Sequence, residues 1–348
     1  MAHDGGAAFA AYLAQKRPQI EDYLARFTLR PEDCTVHAAT DLMRYLYEPV
    51  TRFTSGGGKR TRPALCLLGA QAIGVDPICA LSTAAAIEYF QSAALIHDDI
   101  ADKSELRRGM PCLHVSEGTG IAVNAGDLAL VSVASELLTD SSLENETCLR
   151  LLCELTYMEQ RTLEGQALDL GWVRDERWDV TVDDYLYMAS HKTAYYSAAT
   201  PLACGAICAG GTDEQIEALF SFGLDAGLAF QLQDDLLNLV GDAAQQGKDY
   251  RSDITEGKRT LMAVWALEHL PEQERAELQQ LLSSGTTDEG DLTRAVELIE
   301  QAGAVAYARQ YAHELVDRAQ THLDGVDIDS GAREVLESMA DFFVERLG

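Results

Sequence analysis

Apolar residues recur at every third and fourth position over residues 63–73, 81–97, 122–138, 151–168, 182–209, 212–240 and 260–269. That spacing lines one side of a 3.6-residue helix and predicts α-helices throughout. Period-two alternation of β-branched residues, the mark of a half-buried strand, is nearly absent. Breaks rich in glycine, proline or serine fall at 55–58, 74–77, 109–111, 117–120, 171–179, 241–247 and 283–290. None is long or simple enough for an interdomain linker. The pattern predicts one all-α domain over residues 1–348, with helices 291–348 on the same core and residues 1–12 loosely ordered.

Composition narrows the classes further. The chain is 47% apolar and 24% charged, the balance of a globular domain. Its most apolar runs carry Glu88 and Gln91 and stop short of the roughly eighteen residues of a membrane span, so no integral membrane segment is expected. The opening MAHDGG carries no secretory signal, and a cytoplasmic location is expected. Eight cysteines without a CxxC pair read as buried free thiols. With 27 basic against 56 acidic residues the formal charge is −29, which excludes nucleic acid and anionic membrane as bulk partners. Lysine occurs six times, at Lys16, Lys59, Lys103, Lys192, Lys248 and Lys258, and four of the six fall in the basic motifs below.

Asp98, Asp99 and Asp102 form DDxxD at the end of the 81–97 run. Positions i and i+4 share a helix face, so Asp98 and Asp102 can reach one cation, with Asp99 flanking. Such hard oxygen ligands suit Mg²⁺, which keeps waters and bridges to substrate phosphates. Asp234 and Asp235 close a second long apolar helix, with Asn238 where a third aspartate would complete the pattern. Basic motifs accompany both pairs. Residues 56–63, GGGKRTRP, set a glycine turn ahead of a helix start and bring Lys59 and Arg62 to one side of it, an anion cradle. Arg107 and Arg108 follow the first acid motif, Lys192 and Thr193 lie within an apolar helix, and Lys248 and Lys258 follow the second acid motif.

GGKRTRP, HDDIADKSELRRG, GQALDL, HKTAYY, FQLQDDLLNLVGD and SDITEGKRT occur here in the order found in the trans-isoprenyl diphosphate synthases, which the chain resembles from about residue 55 to 260. The resemblance implies a bundle of antiparallel helices around a deep apolar cavity, a homodimer, and Mg²⁺ dependence with three ions when substrate is bound. It implies the head-to-tail condensation of isopentenyl diphosphate with an allylic diphosphate: ionisation, attack by the double bond, and proton loss. Asp98, Asp102 and Asp234 then correspond to metal ligands supported by Asp99 and Asp235. Arg107, Lys192, Lys248 and Lys258 would hold the allylic diphosphate, and Lys59, Arg62, Gln91 and Arg108 isopentenyl diphosphate. Thr193 and Gln231 would line the developing cation. A class I terpene cyclase would share the first acid motif but not the cradle for a second diphosphate.

Product length depends on where the cavity stops. Ala93 and Ala94 stand where short-chain members carry an aromatic, and Phe90 lies about one turn deeper. A phenyl floor there implies the twenty-carbon product, geranylgeranyl diphosphate. The competing arrangement turns Phe90 into helix packing, and Ala129, Ser132 and Val133 then leave room for longer polyprenyl chains.

Overall fold

The structure, a computed structural model, describes residues 6–26, 30–31, 35–241 and 250–344. Its helices are α1 (Ala7–Arg26), α2 (Val36–Leu42), α3 (Glu48–Ser55), α4 (Thr61–Ala72), α5 (Leu81–Ala101), α6 (Leu113–Ser116), α7 (Thr119–Thr139), α8 (Asn145–Arg174) and α9 (Val182–Ala189). They continue through α10 (Thr200–Cys208), α11 (Asp213–Val240), α12 (Ser252–Thr255), α13 (Leu261–His269), α14 (Glu272–Ser283), α15 (Glu289–Gln301), α16 (Ala304–Thr321) and α17 (Ser330–Val344). A two-residue antiparallel hairpin, β1 (Leu106–Arg107) with β2 (Met110–Pro111), follows α5.

Local chemistry marks the starts of α9 and α11. Thr181 and Thr212 form capping boxes with Asp184 and Gln215, satisfying first-turn N–H groups that have no partner inside the helix. The predicted 182–209 run is one continuous helical stretch, but its middle, Ser190–Ala199, widens into a π-helix joining α9 to α10. Such widenings recur at functional sites. This one carries Lys192 and Thr193.

The helix α5 is buried on nearly every side, against α7 and α4. With the 3₁₀ turn before it, it spans 77–101, longer than its apolar run suggested. That stretch and α7 are both long and apolar enough to cross a membrane by length and composition, and 67% and 44% of their most apolar windows are buried in the fold.

Residues 7–12, expected to be loosely ordered, form the first turns of α1, with Phe9 fully buried. Its ring meets Phe342 and Phe343 of α17 at 5.6 and 6.0 Å, and its backbone N–H donates to Ser338. Buried residues of α15, α16 and α17 join those of α5 and α11 in the same cluster.

Candidate active site

At the end of α5, Asp98 Oδ1 accepts from the Gln166 amide at 3.0 Å, and Asp102 lies 3.9 Å from the Lys258 ammonium. Burial, and then the Asp98 charge, push the Asp102 carboxyl up to about 6 against the pull of Lys258. Two acidic groups kept at odds in this way are what a divalent cation between them would relieve. Oxygen-only donors of this kind suit a hard ion, so the residues fit the Mg²⁺ expected from the sequence.

Asp99 behaves differently. It is buried, and its Oδ1 accepts from Arg107 at 2.7 Å. Both members of this pair were expected to face ligands, the metal for Asp99 and the allylic diphosphate for Arg107. In the structure they face each other, because the hairpin turns Arg107 back under α5.

Lys192 pairs with Asp169 of α8. Burial disfavours its charge, but the carboxylates of Asp169 and Asp98 outweigh burial and hold its pKa above the ordinary lysine value. The close approach of the two helices is set by Gly165, where a Cβ would stand 2.2 Å from the Lys192 backbone nitrogen. Lys258 meets Glu256 at 2.6 Å and Asp253 at 3.8 Å, and these carboxylates with Asp102 likewise keep it charged. Thr193 and Gln231 line the same cavity of about 70 Å³. Lys248 lies outside the described residues.

The second acid pair splits. Asp234 is exposed, whereas Asp235 is buried and accepts from Tyr185 at 2.6 Å and Gln231 at 2.7 Å. Burial, with Asp253 nearby, pushes Asp235 up to about 8. It lines the same cavity as Lys192 and Lys258, with both oxygens engaged by protein donors, whereas the resemblance gave it a supporting place at a metal. Asn238 holds the start of α12: its amide oxygen accepts from the Asp253 N–H and its NH₂ donates to Ser252.

A second cavity, about 260 Å³, is lined by Lys59, Arg62, Gln91, Arg108, Ser197 and Asp234, so four of the residues expected at the cradle do converge. Arg108 donates to the Gly57 carbonyl, and at Gly58 (φ +128°) a Cβ would stand 3.1 Å from its guanidinium. The two cavities set cations beside carboxylates from α5, α8, α11 and α12.

A profile of the family described as polyprenyl synthetase matches residues 43–299. The chain belongs to the polyprenyl synthetase family. It is similar to a short chain isoprenyl diphosphate synthase of Methanothermobacter thermautotrophicus, 40% identical over 94% of this chain and 99% of that one. A geranylfarnesyl diphosphate synthase of Natronomonas pharaonis is 38% identical over 86% and 90%. Among solved structures, a geranylgeranyl pyrophosphate synthase of Corynebacterium glutamicum, complexed with isoprenyl diphosphate and magnesium, superposes with a TM-score of 0.84 at 31% identity, covering 97% of this chain and 99% of that one.

In this polyprenyl synthetase the three residues singled out for chain length part company. Ala93 packs with Val50, Ala122, Ala125 and Ala129 in a small cluster between α3, α5 and α7. Phe90 belongs to the main core and meets Tyr196 edge-on at 5.7 Å. Ala94 is half-buried. Residues buried all round one helix meet different neighbours, so three-residue spacing did not keep Phe90 and Ala93 together.

Sequence reasoning missed Gln166 and Asp169, although the GQALDL motif containing them was in view. It also missed Tyr185, Asp253 and Arg259, whose roles arise from contacts across helices. Arg259 is buried, donates to the carbonyls of Arg177 (2.7 Å) and Gly257, and stacks over Trp178 at 3.7 Å.

Proposed function

We propose that this polyprenyl synthetase condenses isopentenyl diphosphate with an allylic diphosphate and releases geranylgeranyl diphosphate. The observation that carries the reading is the pair of cation-lined cavities beside Asp98, Asp102 and Asp234. Lys192 and Lys258 hold the allylic diphosphate, and Lys59, Arg62, Gln91 and Arg108 hold isopentenyl diphosphate. Asp98, Asp102 and Asp234 would hold the Mg²⁺ ions, three by the family pattern, whose charge would neutralise the departing diphosphate; the magnesium-bound relative supports the use of the metal. The allylic C–O bond breaks with its electron pair leaving on diphosphate, and the isopentenyl double bond attacks the cation. Its proton passes to the diphosphate. Because the Gln231 NH₂ is taken by Asp235, its carbonyl end remains to face the developing charge, together with the Thr193 hydroxyl.

The twenty-carbon reading takes Phe90, packed edge-on against Tyr196, as the stop to chain growth. The small Ala93 and Ala94 favour a second reading in which chains run longer. Supplying isopentenyl diphosphate with dimethylallyl, geranyl or farnesyl diphosphate and Mg²⁺, and weighing the products by mass spectrometry, separates the two. Chelating the metal abolishes turnover on either reading; turnover that survives chelation sinks the metal assignment.

The working unit is a homodimer. Exposed Val131 and Leu138 on α7, and Leu149, Leu163 and Leu170 on α8, form apolar stripes at seven-residue multiples, a seam suited to a second copy. Sedimentation velocity tests this; a monomer at micromolar concentration would overturn it.

A further inference from the structure

We propose that Glu88 is a positioning residue for the isopentenyl diphosphate cavity, because its buried carboxylate dictates which way the Gln91 amide and the Arg62 guanidinium present their donors. The proposal rests on the reading that this cavity takes isopentenyl diphosphate.

Glu88 lies on α5 one turn before Gln91 and is 3% exposed. Its partner Arg60 is 4% exposed and stands at the start of α4 with φ +53°. The Arg60 guanidinium donates to Glu88 Oε1 and, at 2.8 Å, to the Thr54 carbonyl. Arg60 is thus occupied inside the protein. Lys59, Arg62 and Arg108 line the cavity beside it.

The other carboxylate oxygen acts on Gln91. In the amide orientation that satisfies both neighbours, the NH₂ donates to Glu88 Oε2 at 3.2 Å and the amide oxygen accepts from Arg62 Nη1 at 2.9 Å. Turned over, the amide would set oxygen against carboxylate and NH₂ against guanidinium. An ionised carboxylate only accepts and a guanidinium only donates, so Glu88 and Arg62 together leave the amide one choice. The second amide hydrogen is then free to meet a phosphate oxygen. Arg62 is pinned on its other sides by Ser197, which accepts from Nη2 at 2.8 Å, and by the Tyr196 ring 4.4 Å beneath it. Burial pushes the Glu88 carboxyl up, while Arg60, Arg62 and Arg108 pull it back toward ionisation.

The chain Thr54–Arg60–Glu88–Gln91–Arg62–Ser197 therefore ties α3, α4, α5 and the π-helical segment into one arrangement of donors. A neutral amide at position 88 that keeps its oxygen on Arg60 would turn its NH₂ toward Gln91 and compete with Arg62 for the Gln91 oxygen. The orientation would no longer be dictated, and Arg62 would lose its acceptor for part of the time.

The test is Glu88→Gln, which keeps the volume and can still accept from Arg60. Steady-state rates are measured with each diphosphate varied in turn. We expect KM for isopentenyl diphosphate to rise about tenfold, equivalent to about 1.4 kcal/mol, with the allylic KM unmoved and kcat at saturation within about threefold. In a Gln91→Leu background the same change should add little, since Glu88 acts through Gln91. An unchanged isopentenyl KM, equal shifts in both KM values, or full additivity with Gln91→Leu would overturn the proposal. If Glu88→Gln does not fold by circular dichroism, Glu88→Asp, which keeps the charge but withdraws it from Gln91, carries the same readouts. Wild-type protein that fails to condense the two diphosphates would sink the functional reading itself; wild-type turnover with an unaffected Glu88 variant sinks only this inference.

Discussion

The hydroxyl of Tyr185 on α9 donates to Oδ2 of Asp235 on α11 at 2.6 Å, and both residues are buried. With Gln231 on its other oxygen, Asp235 is closed off, while its neighbour Asp234 stays exposed. Adjacent aspartates on a helix point about 100° apart, and here that difference divides their roles. Asp234→Asn should lower kcat about a hundredfold or more. Asp235→Asn should lower it less but destabilise the fold by about 1–3 kcal/mol, since its amide cannot accept from both donors. Paired kinetics and thermal melts check the contrast; equal kcat losses with unchanged melting would refute it.

Arg259 clamps the loop that carries Lys258. Its guanidinium is held by backbone carbonyls and the Trp178 face, and no ion pair to a carboxylate is seen among the described residues. Arg259→Met should free that loop and raise the allylic KM about tenfold, leaving the isopentenyl KM unchanged. Arg259→Lys should recover little, because an ammonium cannot reproduce the planar fork. Separate KM measurements for the two substrates decide the point.

Phe90→Ala should lengthen the dominant product beyond twenty carbons, since it removes the ring that meets Tyr196. One helical turn spans about 5.4 Å, close to one isoprene unit. Mass spectrometry of the extracted products reads the outcome directly, and an unchanged length would remove Phe90 from the floor.

Glu136 on α7 is 1% exposed and accepts from Tyr23 of α1 at 2.9 Å. Burial pushes its carboxyl from 4.5 up to about 7. Between those values the native state binds more protons than the unfolded chain, so this group's contribution is full below pH 4.5 and is lost as the pH rises through 7. The slope is about 1.4 kcal/mol per pH unit at most. Glu136→Gln should flatten that part of the stability curve. Denaturant melts of both proteins at pH 5 and pH 8 measure the difference, and parallel curves would contradict it.

The helices and the chemical motifs were legible along the chain because both are local. An apolar residue every third or fourth position suffices to define a buried stripe, and DDxxD, GGGKR and GQALDL hold their side chains a few residues apart. The sequence by itself therefore determined an all-α protein with two acid clusters and an anion cradle. Which charge each group meets was decided only by the tertiary structure. Asp99 could have faced outward until the hairpin brought Arg107 back to it. Tyr185 lies 50 residues from Asp235, and Phe9 lies 329 from Ser338, yet these contacts close one carboxylate and order the N-terminal helix. Such pairings depend on where helices cross, and crossing is set by the packing of whole faces rather than by any short run of residues.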